Sequence, residues 1–337
     1  MLSAFIAGLA GAQLDAREAA LLRAARPCGV ILFARNIENP EQVRRLTGDV
    51  RAAIGADDLL VLIDQEGGRV QRLRPPHWRA LPPAAAYARL YQRDRQAALR
   101  SARLAARLTA ADLSALGINT DCAPVLDVPV PGSHDVIGDR AYGSTPDQVA
   151  ALGRVVAEGF MAGGVLPVIK HIPGHGRATK DSHHDLPVVT ASRSDLEAND
   201  FAPFRALAGM PAAMTAHVVF TAIDADAPAS TSARVTADII RGAIGFDGLL
   251  MSDDLGMRAL SGTIVERAQA VLAAGSDLAL LCSGDIAETE SVAGVVPPLQ
   301  GPAQARFANA CAVFGQQNTF DVAEAEACLG EVLRGLA

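Results

Sequence analysis

The chain has 337 residues, half of them hydrophobic, and a formal net charge of −7. The length and apolar share allow one large α/β barrel with a full core. The acidic balance, with no stripe of Lys or Arg, argues against nucleic acid as the main partner. Aromatic residues make up 4%, with Trp78 the single tryptophan, so a long stacking platform for polymeric sugar or single-stranded nucleic acid is not expected. Five scattered cysteines show no metal-type spacing and imply reduced thiols in a reducing compartment. Residues 4–12 are apolar and small, but no basic residue precedes Arg17, so a buried first strand is expected rather than a signal peptide. No run is long enough to span a membrane.

The elements follow in order. A strand is expected over 3–9, then a helix with Asp15 and Glu18 at capping-box spacing. A second strand covers 29–36. Asn39-Pro40-Glu41-Gln42 supplies an N-cap, a proline at N1 and a glutamine at N3 for a helix to about Ile54. A third strand covers 59–66 and ends in Asp64-Gln65-Glu66-Gly67-Gly68-Arg69. A proline-rich loop leads to one long helix stopping at Gly117. The fourth strand covers 118–127, its loop carries Asp135 to Arg140, and Thr145-Pro146-Asp147-Gln148 opens a helix.

The fifth strand begins at Val165 and runs into Lys170-His171-Ile172-Pro173-Gly174-His175-Gly176, then Asp181-Ser182-His183-His184-Asp185. A helix from about Ser194, with Glu197 completing a capping box, a sixth strand over 211–219 and a helix over 234–244 come next. A seventh strand over 248–254 ends in Ser252-Asp253-Asp254. A helix near 265–274, an eighth strand over 277–282 and helices about 303–314 and 322–336 close the chain. The strands are continuous apolar runs, as in a parallel sheet buried on both faces. Asp64, Asp127, Lys170, His171, His217 and Asp253 fall at strand C-terminal ends, which line one mouth of a (β/α)8 barrel. A doubly wound open sheet is the alternative, but no GxGxxG follows the first strand. One domain over 1–337 is expected.

Four of the seven histidines fall between His171 and His184. Asp181 and His183 are two apart, so in an extended segment they point the same way and suit general acid/base work. A solvated loop with a structural Asp–His bond is the alternative. Asp253 or Asp254 could cap the next helix, His175 and His184 could shape the loop, His217 could be core, and Arg140 could pair with Asp139. A metal-dependent hydrolase could use His171, His175, His183 and Asp185. A Schiff-base aldolase could use Lys170.

Lys170-His171-Ile172-Pro173-Gly174-His175-Gly176 with Asp181-Ser182-His183 resembles the signature of the glycoside hydrolase family 3 β-N-acetylhexosaminidases, the NagZ group. Asp64 through Arg72, Val136 through Arg140, and Gly245 through Leu255 resemble its other blocks, in the same order. The likeness extends from about Gly29 to Cys282; Ile172 stands where the family usually has Phe. The resemblance implies a single barrel with Asp253 as nucleophile, His183 as acid/base and Asp181 orienting it. It implies that Asp64, Arg72, Arg140, Lys170 and His171 hold the terminal sugar, with no metal and no cofactor. The implied activity is retaining removal of terminal β-linked N-acetylglucosamine from cell-wall fragments (N-acetylglucosamine–anhydromuramic acid, with or without peptide) in cytoplasmic recycling. A monomer acting on a small sugar, without nucleic acid or membrane, is expected. A family 3 β-glucosidase and an N-acetylglucosaminide phosphorylase are the neighbouring alternatives.

Overall fold

The computed structural model describes residues 1–182, 184–316 and 318–334. Eight parallel strands close on themselves in chain order. They are β1 (Ser3–Gly8), β2 (Pro27–Leu32), β3 (Leu60–Ile63), β4 (Thr120–Asp121), β5 (Leu166–Ile172), β6 (Ala212–Thr215), β7 (Leu249–Asp254) and β8 (Leu278–Leu281). β8 pairs back onto β1, and helices fill the connections. This is the expected (β/α)8 barrel, not an open doubly wound sheet.

The continuous apolar strands are explained by their two faces. In β3, Leu60 and Leu62 join Ile6, Ile31, Val168 and Met251 inside the barrel. Val61 and Ile63 point outward, onto Val43 and Leu46 of helix Pro40–Ile54. A period of two with both faces buried leaves no polar position along the strand. Phe307 and Ala310 of helix Gly301–Cys311 join the interior cluster beside Ala4 and Cys28, so this helix fills the N-terminal end of the barrel.

Four expected elements differ. The fourth strand holds a regular ladder only at Thr120–Asp121; Pro124 has no N–H to give, and beyond it pairing is a single bridge in which Pro124 O accepts from Lys170 N–H at 3.1 Å and Leu126 N–H donates to Lys170 O at 2.6 Å. The expected long helix is two, Ala84–Arg93 and Arg95–Ser114. Asp94 ends the first and caps the second by accepting from Ala97 N–H at 2.9 Å. Ser192, not Ser194, caps helix Arg193–Ala198, and Glu197 instead pairs with Arg193. Asp15 caps helix Ala16–Ala25 as expected, but the Glu18 carboxylate accepts from Ala10 N–H rather than completing the box.

Two buried carboxyls tie the barrel together. Asp277 Oδ2 accepts from Leu250 N–H at 2.9 Å and from Arg241 at 3.0 Å, while its Oδ1 accepts from Arg306 at 3.1 Å. It thereby joins β7, helix Gly301–Cys311 and the π-helical turn Val235–Ala243. Asp121 is fully buried on β4. Its Oδ1 accepts from Gln65 N–H at 2.9 Å, and its Oδ2 has no hydrogen-bond partner among the described residues.

Removing Asp277 takes the shared carboxylate from two guanidinium groups, leaving Arg306 its pair with Asp247 and Arg241 the Phe246 and Gly248 carbonyls. Asp277→Ala is expected to cost about 3 kcal/mol, the low end for a broken buried pair because Arg306 is part-exposed; urea unfolding checks it. Burial pushes the Asp121 carboxyl from its ordinary 3.8 up to about 8, against the opposing pull of the Gln65 hydrogen bond and Lys170. An acid raised in the fold destabilises progressively as pH rises from the unfolded value toward the folded one. Asp121→Asn is therefore expected to match the native midpoint near pH 4 and to exceed it increasingly toward pH 8. A difference flat across that range would show an ionised Asp121.

Candidate active site

The strand ends bring the polar groups to one mouth. β3 stops at Ile63, and Gln65–Gly67 pairs antiparallel with Val70–Gln71 to form a small hairpin over it. Gly67 turns it at φ 96°, where a Cβ would lie 2.6 Å from Pro82 O. Asp64, Arg72, Arg140, Lys170, His171 and Asp253 all line one cavity of about 420 Å³. Six of the eight residues named for the site are thus brought together. Ile31, Met214 and Leu280, from the barrel interior, form its floor.

One wall is a chain of five charges. Lys170 Nζ lies 2.9 Å from Asp64 Oδ1 and 2.7 Å from Glu66 Oε1. Arg72 donates to Asp64 Oδ2 at 3.0 Å, and Arg140 grips both Glu66 oxygens at 2.8 Å. Burial alone would push the Lys170 ammonium toward neutrality, but Asp64 and Glu66 outweigh it and raise its pKa. Burial likewise works against an ionised Glu66, yet Lys170 and Arg140 bring it down to about 2. Asp64 is held well below the carboxylate range, with Lys170 and Arg72 overcoming its burial. A lysine held protonated in this way has no lone pair for a carbonyl, which removes the physical basis of a Schiff-base reaction. Arg140 pairs with Glu66, not Asp139; Asp139 pairs with Arg69 at 2.8 Å. Glu66 was not singled out from the sequence, although its two-residue spacing from Asp64 was a usable signal.

Asp127 is the second organiser. It is fully buried, and its Oδ2 lies 2.7 Å from His171 Nδ1. Its Oδ1 accepts from His175 N–H at 2.7 Å and from His171 N–H at 3.3 Å. The carboxylate fixes a proton on His171 Nδ1, which leaves Nε2 for a ligand. His175 Nε2 lies 3.1 Å from Ser182 Oγ. Asp185 pairs with Lys180 at the surface, and no group of His, Cys, Asp or Glu among the described residues is arranged to hold a metal.

Asp253 and Asp254 end β7, and both line the cavity rather than opposite faces of the strand. They differ in occupation. Asp254 Oδ1 accepts from Gly256 N–H and Cys282 N–H, each at 3.0 Å, which turns the chain. Burial raises its carboxyl. Asp253 Oδ1 accepts only from the adjacent Asp254 N–H among the described residues, at 2.8 Å. Burial opposes its ionisation, but His217, His171, that amide and Lys170 outweigh it and hold the carboxyl below its ordinary range. His217 is fully buried between Ser230 Oγ at 2.7 Å and Asp254 O at 3.0 Å, a supporting position. An ionised Asp253 beside a fixed positive wall can act as a nucleophile or as an electrostatic stabiliser.

The stretch after His175 is a loop and a turn, not an extended segment. Asp181 O accepts from His184 N–H and Asp185 N–H at 3.0 Å each. His183 lies outside the described residues.

The Glycosyl hydrolase family 3 N terminal domain matches residues 5–312. The chain is 42% identical over 306 residues to a protein named Beta-hexosaminidase from Alkalilimnicola ehrlichii, covering 90% of this chain and 86% of that one. It is 42% identical over 279 residues to another of that name from Bordetella avium, with 82% and 79% covered. Among solved structures it is similar to NagZ from Neisseria gonorrhoeae in complex with N-trifluoroacetyl-D-glucosamine, at TM-score 0.89 and 34% identity over 100% of this chain and 98% of that one. The matched span takes in all eight barrel strands except the first two residues of β1, together with every residue of the charged wall and the Asp253 carboxylate. On that span and those identities, the chain belongs to glycosyl hydrolase family 3.

Proposed function

We propose that this chain is a retaining exo-β-N-acetylglucosaminidase that removes terminal β-linked N-acetylglucosamine from cell-wall fragments. The observation that carries the reading is the ionised Asp253, which no cation in the charged wall contacts among the described residues, in a cavity floored by the barrel core. A cavity with a closed floor accepts the end of a saccharide rather than its middle, which suits exo-action. The relatives named β-hexosaminidase, and the neighbour crystallised with an N-acylated glucosamine, support the choice of sugar.

In this reading Asp64, Arg72, Arg140, Lys170 and His171 hold the sugar hydroxyls. Asp64 and Lys170 each keep hydrogen-bonding capacity beyond the charge chain, and His171 presents Nε2. Asp253 attacks the anomeric carbon and the glycosidic bond breaks, with His183 protonating the departing oxygen. Water then attacks the glycosyl–aspartate as His183 takes its proton, which releases the sugar and restores the carboxylate. Asp181 is assigned to the orientation of His183. No step requires a cofactor. Free cysteines, three of them buried, fit a cytoplasmic setting, and no helix among the described residues is long and apolar enough to cross a membrane. The barrel over 1–337 is proposed as one catalytic unit.

Release of nitrophenol should be faster from the β-N-acetylglucosaminide than from the β-glucoside, with or without phosphate. Equal or faster β-glucoside turnover would overturn the choice of sugar, and a strict phosphate requirement would make the enzyme a phosphorylase. A fluorosugar that slows the second step should leave the protein heavier by one glycosyl unit, mapped to Asp253. Asp253→Ala should abolish labelling and turnover; full activity in that variant would remove the covalent route. His183→Ala should lose about 10²–10⁴-fold on poor leaving groups and far less on activated ones.

A further inference from the structure

Ser182 sits within the loop that carries Asp181 and is almost fully buried, which is unusual for a serine in a loop otherwise half open to solvent. Two separate contacts hold it. Its hydroxyl lies 3.1 Å from His175 Nε2. Its carbonyl accepts from Ala259 N–H at 3.3 Å, in the segment that follows the Asp253-Asp254 end of β7. His175 is itself rooted, since its backbone N–H donates to Asp127 Oδ1 at 2.7 Å. The same Asp127 carboxylate holds the His171 ring.

These contacts form one continuous path. It runs from His171 through Asp127 to His175, then to Ser182 and across to the loop after Asp253. Other contacts hold the earlier part of the loop. Ala178 O accepts from His134 N–H at 2.8 Å, and Arg177 Nε donates to Asp200 at 2.6 Å. Those hold its early residues. Among the described residues, Ser182 is where it meets the nucleophile's side of the mouth through a side chain and a backbone bond together.

We propose that Ser182 and His175 are positioning residues for the acid/base step: their hydrogen bond sets where Ser182, next in sequence to the acid/base residue, stands on the Asp253 side of the mouth. The inference rests on the proposed acid/base role of His183. It adds that this role depends on a bond made one residue away, to a histidine that itself takes no part in proton transfer. Burial and neighbouring His171 push His175 down to about 4, so at neutral pH its ring is uncharged and the bond to Ser182 is a neutral one. Breaking a neutral hydrogen bond is worth about 3- to 10-fold in rate when the bond is fully expressed in the transition state.

The test compares kcat/KM for two N-acetylglucosaminides, one with an activated dinitrophenyl aglycone and one with a methyl aglycone. That ratio of constants reports glycosyl transfer to the enzyme, and only the methyl glycoside needs a proton from the enzyme. His183→Ala is measured first; if it shows no selective loss on the methyl glycoside, the acid/base reading itself fails. With that selectivity in place, Ser182→Ala and His175→Leu are each expected to lose about 3- to 10-fold on the methyl glycoside and less than twofold on the activated one. The double variant should fall no further than either single, because both changes remove the same bond. Unchanged rates, a parallel fall on both substrates, or multiplied losses in the double variant would each overturn the proposal. Activity on the dinitrophenyl substrate reports folding. If His175→Leu does not fold, His175→Gln, whose amide can replace Nε2, should retain the native ratio, and a loss equal to that of Ser182→Ala would overturn it.

Discussion

A lysine ammonium almost wholly withdrawn from water is a large electrostatic cost, and in this protein it is offset at the end of β5 by two carboxylates reached from a different strand. Lys170 between Asp64 and Glu66 ties β5 to the hairpin after β3, and Arg140 extends the tie to the loop after β4. Each charge has an opposite neighbour on every side it presents within the wall, so the array stays ionised despite burial. The consequence for function is rigidity. Donors and acceptors on that wall are fixed before any ligand arrives, and a fixed polar wall stabilises developing charge without reorganising.

The rest of the mouth is built on different terms. Asp127 gathers the His171 ring and two backbone N–H groups, so one buried carboxylate sets both a ring proton and the root of the loop. Asp254 spends its oxygen on chain turning, and this leaves Asp253 as the carboxylate with capacity for chemistry. Two adjacent aspartates on one strand end thus take separate tasks through their hydrogen bonds, although both face the cavity. Direction along a strand would have assigned them to opposite faces. At the last residue of β7 the chain is already turning, and the period of two no longer decides orientation.

Much of the architecture was legible because local patterns are sufficient for it. Asn39 and Pro40 start a helix at the residue the capping pattern names, and the continuous apolar runs mark every barrel strand. Local patterns fail where two satisfy the same stretch. Residues 118–127 are apolar enough for a strand, but Pro124 has no N–H to give its ladder. The long Ala/Leu/Arg stretch suits one helix, but Asp94 offers a cap that divides it. Ser192 and Ser194 both fit a cap, and the geometry of chain entry chose the first.

From sequence alone came the alternation of strand and helix, the crowding of titratable residues at strand ends, and a family likeness that named the cavity residues; all of these depend on spacing along the chain. Tertiary structure alone decided the pairings. Arg140 could have met its neighbour Asp139 but meets Glu66, and Asp127 meets His171 across 44 positions. Ser182 touches both His175 and Ala259. Such contacts are set by where barrel closure brings distant strand ends, and a buried charge or donor must then take the partner that closure supplies. No local rule carries that information, because the energy that selects each partner is the cost of leaving it unpaired in a place the sequence does not specify.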